Sequence, residues 1–254
     1  MESCSHGDTG LVRATDGLSR DGVARYSGDH TQGPACAVAA GAATIYRNYC
    51  VPIGDEVGQT RHRFLDGLAH VGATLSEHLD IPAHDLWEMR NGYALCTSEG
   101  LDAISAALSN ADERLSQELR GELAIGLHRN VEVTRIPGET PHVSQAFCSA
   151  LPVAYSHIPG QRWESFARLV LEAAYEATLL AAAEDVDTNT VLLTRVGGNA
   201  FGNDDNWIDD AIVRALRTVE HAGLDVRLVS HGNIHPSMQR IADDWSRHGR
   251  TTPR

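Results

Sequence analysis

Apolar and polar positions along this chain follow two different periods, and the switches between them mark the expected elements. Phe64, Leu65, Leu68, Val71, Leu75 and Leu79 recur at helical intervals, which predicts a helix within residues 58–79 that stops ahead of Pro82. The same spacing at Leu101, Ile104, Leu108, Leu115 and Leu119 predicts a helix over 101–119, with Thr97 or Ser98 near its N-cap. The clearest helical stretch is 162–183, where Phe166, Leu169, Val170, Ala173, Ala174, Ala177, Leu180 and Ala181 form a broad apolar face. Shorter apolar runs read as strands. Residues 86–95 contain the turn pair Asn91-Gly92 and predict a hairpin or a strand entry, and 123–133 a strand pair or one long bent strand. Residues 143–155 predict a strand that enters the core and stops at Pro152. Past residue 235 one helical set remains, Met238, Ile241 and Trp245, before the pattern frays.

Residues 191–230 organise the second half. Val191, Leu192 and Leu193 form a short strand that breaks at Gly197-Gly198-Asn199-Ala200-Phe201-Gly202-Asn203, and Trp207-Ile208 then opens an amphipathic helix. Residues 224–230 return as a second apolar strand, so the unit is strand, loop, helix, strand and predicts a parallel pair. Glycines let a backbone turn tightly and approach an anion, and a helix start offers unpaired N–H groups, so this is the layout of a phosphate cradle. Asp204 and Asp205, just before the helix, suit capping positions. With the strand and helix that precede it, the unit predicts an α/β fold with a three-layer α/β/α core.

The first half carries less pattern. Residues 35–44 are almost wholly small, which suits either a tightly packed core segment or a loop and helix start around a ligand. Ile45-Tyr46-Arg47-Asn48-Tyr49 follows; there Arg47 and Asn48 either meet the chain's own groups or bind phosphate and ribose oxygens. Residues 1–25 are polar and aperiodic, which predicts a mobile extension ahead of one domain at 26–235 and a tail at 236–254.

A net charge of −13 excludes nucleic-acid or anionic-membrane binding driven by excess Lys and Arg. A polyanionic ligand must then be met by local donors, of which loop amides are the nearest. The five cysteines are scattered without a CxxC pair, so neither a disulfide framework nor a zinc ribbon is expected and a reducing cytoplasm fits. No stretch reaches the roughly 18 apolar residues of a membrane span. His231 and His235 have metal-helix spacing, but Gly232 and Pro236 oppose a helix there, so no metal and no cofactor is expected. Cys36 and Cys148 are either packed thiols or nucleophiles.

The order of strand, helix, strand, GGNAFGND loop, helix and strand over residues 143–230 resembles the second half of macrodomains, closest to their poly(ADP-ribose) glycohydrolase-like branch. The resemblance implies a macrodomain-like fold with a mixed central sheet. It implies that Gly197, Gly198, Asn199, Ala200, Phe201, Gly202 and Asn203 hold the diphosphate of ADP-ribose, with the aromatic against the distal ribose. In the first half, residues 31–49 stand where the family carries its catalytic glycine loop, which brings Gln32, Gly33, Arg47 and Asn48 to the ligand. That branch has a G-G-G run followed by Gln-Glu-Glu; the nearest counterpart here is Gly58-Gln59, with Asp55 and Glu56 just before it. Removing an ADP-ribosyl group needs a positioned water and an acid or base. Asp55 and Glu56 are the acid/base candidates, or else a solvated loop, and Gln59 would orient the water. The expected partner is ADP-ribose, or an ADP-ribosylated protein or small molecule of NAD metabolism; the expected function is a hydrolase of that group, or a non-catalytic ADP-ribose reader.

Overall fold

The computed structural model describes residues 39–60, 63–90, 92–134, 138, 140–230 and 232–248. The expected mobile extension, Gln32, Gly33, Cys36 and His231 therefore lie outside the described residues.

The first helix, α1 (Gly41–Tyr49), takes up the end of the small-residue run, and a two-residue hairpin follows, β1 (Pro52–Ile53) with β2 (Glu56–Val57). The helix expected within 58–79 begins late, as α2 (Ala69–Leu79), because side chains hold the preceding backbone in turns. Leu65 N donates to Gln59 Oε1 at 3.0 Å and Leu68 N to Asp66 Oδ1 at 2.9 Å. A short turn, α3 (Ala83–Leu86), leads into the expected hairpin of β3 (Trp87–Arg90) and β4 (Tyr93–Cys96). The helix expected over 101–119 is two, α4 (Ser98–Asn110) and α5 (Glu113–Gly121). Asp112 breaks the run by capping the second, its carboxylate accepting from Leu115 N at 2.8 Å. Thr97 caps the first through Gly100 N at 2.9 Å.

Next come β5 (Gly126–Glu132) and β6 (His142–Phe147), antiparallel with a register shift between His128 and Val131. A 3-10 turn at Gly160–Trp163 opens α6 (Glu164–Ala183), the longest helix described. The last part is β7 (Thr190–Leu193), α7 (Asp205–Thr218), β8 (Asp225–Leu228) and α8 (Pro236–His248). As the pattern predicts, β7 and β8 are parallel, with Val191 beside Val226 and Leu193 beside Leu228.

The main core is built on α6. Trp163, Phe166, Leu171 and Leu179 are fully buried there with Leu101 and Ile104 of α4, Leu119 of α5 and Ile208 and Ile212 of α7. Gly100 is needed for close approach, since a Cβ there would lie 2.2 Å from Leu86 O. Met238 and Ile241 of α8 are buried, so the helical set expected past residue 235 is a helix that runs to His248 and is seated on the protein. No helix among the described residues is long and apolar enough to cross a membrane.

The fold is thus mixed α/β, but the central mixed sheet of the expectation is not among its described parts. The strands form four separate two-stranded sheets, three antiparallel and one parallel. Side chains take the backbone groups that a longer ladder would use. Tyr175 OH donates to Thr194 O at 2.8 Å and accepts from Val196 N at 2.7 Å, immediately beyond β7, and Asn203 Nδ2 donates to Leu151 O at 2.9 Å, beyond β6.

Candidate functional site

The loop 197–203 leaves the carboxyl end of β7 and returns as α7, where the glycine pattern places it. Gly197 has φ +86, and a Cβ added there would meet Ala150 Cβ at 2.4 Å, so the first glycine serves both a left-handed turn and a close approach to the segment after β6. Asn199–Phe201 forms one 3-10 turn, closed by Phe201 N donating to Gly198 O at 3.4 Å and Gly202 N to Asn199 O at 3.1 Å. Asn203 pins the loop from inside. Its side chain is buried, and Nδ2 donates to Gly197 O at 3.0 Å as well as to Leu151 O. Its backbone N–H donates to Gly197 O at 3.0 Å.

Two consequences bear on ligand binding. The N–H groups of Gly198, Asn199 and Ala200 donate to no protein acceptor among the described residues, and Asn199 and Ala200 are exposed. The start of α7 is satisfied in part: Asp204 accepts from Asn206 N at 2.8 Å, so the helix end expected to be open to an anion already carries one of the chain's own carboxylates.

Phe201 is buried and does not present its ring to solvent. It stacks with Tyr155, centroids 5.6 Å apart at 25°, and meets Tyr93 edge-on at 5.7 Å. The outer ring of this trio is Tyr155, 46% exposed, from the 3-10 turn Val153–Tyr155. The sequence pattern passed over Tyr155; its available signal was an aromatic just past the proline that ends the β6 segment.

The first-half candidates take other positions. Arg47 is buried on α1 with its guanidinium 4.5 Å from the centroid of Phe147, a cation–π contact within the cluster of Ala40, Ala43, Val131 and Phe147. Asn48, fully buried, donates from Nδ2 to Thr44 O at 2.8 Å. Gln59 is buried as well; Nε2 donates to Arg47 O at 2.9 Å while Oε1 accepts from Leu65 N, so both ends of its amide hold backbone. Glu56 pairs with Arg63, and Asp55 is exposed and forms no ion pair among the described residues. The helix of Arg47 and the loop 197–203 both rest on the segment from Phe147 to Ala154, the former on Phe147 and the latter on Ala150, Leu151 and Ala154.

Beside the loop lies a polar network that the spacing of single residues did not announce. Arg195, just past β7, pairs with Asp209 and, at 2.6 Å, with Asp205, and donates to Ser237 Oγ at 2.7 Å. Ser237 Oγ lies 2.9 Å from Asp209 Oδ1 and 2.7 Å from His235 Nδ1, whose other nitrogen is 3.4 Å from Asp205 Oδ2. Ser237 is buried, and its hydroxyl is shared among three partners, so the network latches α8 to β7 and α7. Of the cysteines considered as nucleophiles, Cys148 is buried, which pushes its thiol up to about 11 and leaves it protonated at neutral pH. Among the described residues no cluster of His, Cys, Asp and Glu could hold a metal ion.

Compared with protein-family models, with curated proteins and with solved structures, the chain gives no match.

Proposed function

We propose that this protein binds ADP-ribose, or a related nucleotide-diphosphate sugar, through the loop 197–203, as a macrodomain-like module. One observation carries the reading: three consecutive amides, at Gly198, Asn199 and Ala200, stand without a protein acceptor among the described residues, beyond the carboxyl end of a parallel strand. A diphosphate supplies closely spaced charged oxygens for such donors, and strand ends of this kind are where α/β proteins take ligands. Local amides also suit a chain of net charge −13, which has no excess of Lys and Arg to offer. Tyr155 supports the reading from the side, since a half-exposed ring backed by Phe201 is a platform for a ribose or a base. The finer fold reading is supported by the order β6, α6, β7, loop, α7, β8, with its parallel closing pair.

Titration calorimetry with ADP-ribose tests this directly, and no heat of binding at millimolar ligand would overturn it. Gly198→Val separates ligand space from folding. Gly198 has φ −71, and a Cβ there meets nothing closer than Ile208 Cδ1 at 3.6 Å, so the variant should keep the native circular dichroism while losing binding at least tenfold. Unchanged affinity would show that the loop is structural.

A hydrolase reading stands beside the binding one on a narrower observation: among the described residues Asp55 is the acid/base candidate that forms no ion pair, while Glu56 is paired with Arg63. In that reading, release of ADP-ribose from a modified protein proceeds in the wild type and falls in Asp55→Asn with binding intact. No release by the wild type would leave the reader.

A further inference from the structure

We propose that the outer edge of β8 is a self-association surface, pairing antiparallel with β8 of a second copy of this chain. Asp225 N donates to Asn189 O and Val229 N to Leu193 O, both at 2.8 Å, so the odd-numbered residues of β8 turn their backbone groups toward β7. Leu224, Val226 and Leu228 then turn theirs the other way, and they make no hydrogen bond among the described residues. A row of unpaired N–H and C=O groups on an edge strand is a template for another strand.

The residues along that edge specify which strand fits. Leu224-Asp225-Val226-Arg227-Leu228 is complementary to itself when reversed. With Val226 opposite Val226 of the second copy, Leu224 faces Leu228 and Asp225 faces Arg227. This register uses the outward-turned residues as the hydrogen-bonded pairs, because a two-fold axis at Val226 makes it donate to and accept from its own counterpart. It also sorts the faces. Val226, Leu224 and Leu228 lie half-buried on the helix side, while Asp225 and Arg227 are exposed on the other, so apolar meets apolar and each carboxylate meets a guanidinium. Within one chain those two charges already pair at 2.6 Å, and the second copy lets each add a cross-strand partner.

A groove of about 490 Å³ lies on the helix side of β8, lined by Val226 and Leu228, by Leu216 of α7 and by Met238, Ile241 and Trp245 of α8. Ile234, 66% exposed, stands at its rim. The groove gives the apolar side chains of an incoming strand a place to go, which a bare sheet edge would not.

Sedimentation velocity on the full chain tests the proposal. The wild type should show a concentration-dependent dimer. Asp225→Arg puts Arg opposite Arg twice across the axis, Arg227→Asp puts Asp opposite Asp, and each should give a monomer with native circular dichroism. The combined Asp225→Arg, Arg227→Asp chain restores both pairs and should dimerise again, an outcome that a nonspecific apolar contact would not produce. Val226→Pro removes an N–H that β7 does not use and should also give a monomer. If that variant misfolds, the charge exchange decides alone. A wild type that stays monomeric throughout, or single charge variants that dimerise like it, would overturn the proposal and leave the edge to a strand from a different protein.

Discussion

Asn203 shows how one side chain holds the candidate site. Its Nδ2 joins Leu151 O and Gly197 O, the two backbone segments that the loop must keep together. Asn203→Asp replaces a buried donor with a group that, once ionised, confronts two carbonyls without a proton to share. Burial raises the carboxyl's folded pKa above its unfolded value, so the variant's stability is greatest below the unfolded pKa, about 4, and is lost as pH rises through the folded one. Thermal melts at acidic and neutral pH should therefore diverge from the wild type as the pH increases, with a loss at neutral pH of about 1–3 kcal/mol or more. At Gly197 the cost is steric: Gly197→Ala should lower stability by more than about 1 kcal/mol, because φ is positive and Ala150 occupies the space. Neighbouring glycines in one motif thus answer to different tests, Gly197→Ala to stability and Gly198→Val to the proposed ligand binding.

At the level of elements, capping side chains decide where the helical pattern is cut. The apolar spacing from Leu101 to Leu119 runs on as if one helix carried it, yet Asp112 accepts from Leu115 N and starts a second. Asp112→Ala should cost about 1 kcal/mol by chemical denaturation, in the range of lost N-caps, with the fold retained. The hairpin 87–96 and the parallel β7 and β8 are legible in the sequence because their signals are local: a turn pair in one case, a glycine loop and a crossover helix in the other. The delayed start of α2 is not, since it depends on Gln59 reaching Leu65 N from six residues away. Nor is the fate of Phe201, whose partners Tyr93 and Tyr155 lie far off in sequence.

Over the whole molecule, buried thiols report on the integrity of the core. Cys96 and Cys148 both belong to the main apolar cluster, and burial pushes their thiols up to about 12 and about 11, while Cys50 is exposed. Iodoacetamide at mildly alkaline pH should modify Cys50 quickly in the native protein and reach Cys96 and Cys148 together, when the core opens; peptide mapping by mass spectrometry reads this out. Early modification of Cys148 would mean that the segment beneath the loop 197–203 opens by itself. Sequence by itself determined the α/β class, the main helices and the strand, loop, helix, strand unit at the end, because hydrophobic period and glycine placement act over a few residues. Tertiary structure decided the rest: that among the described residues strands pair in twos, that Arg47, Asn48 and Gln59 are drawn into packing and backbone contacts, and that loop amides and the edge of β8 have no acceptor or donor partner among those residues. Those outcomes turn on which distant groups satisfy a buried donor or acceptor, and spacing along the chain does not encode that choice.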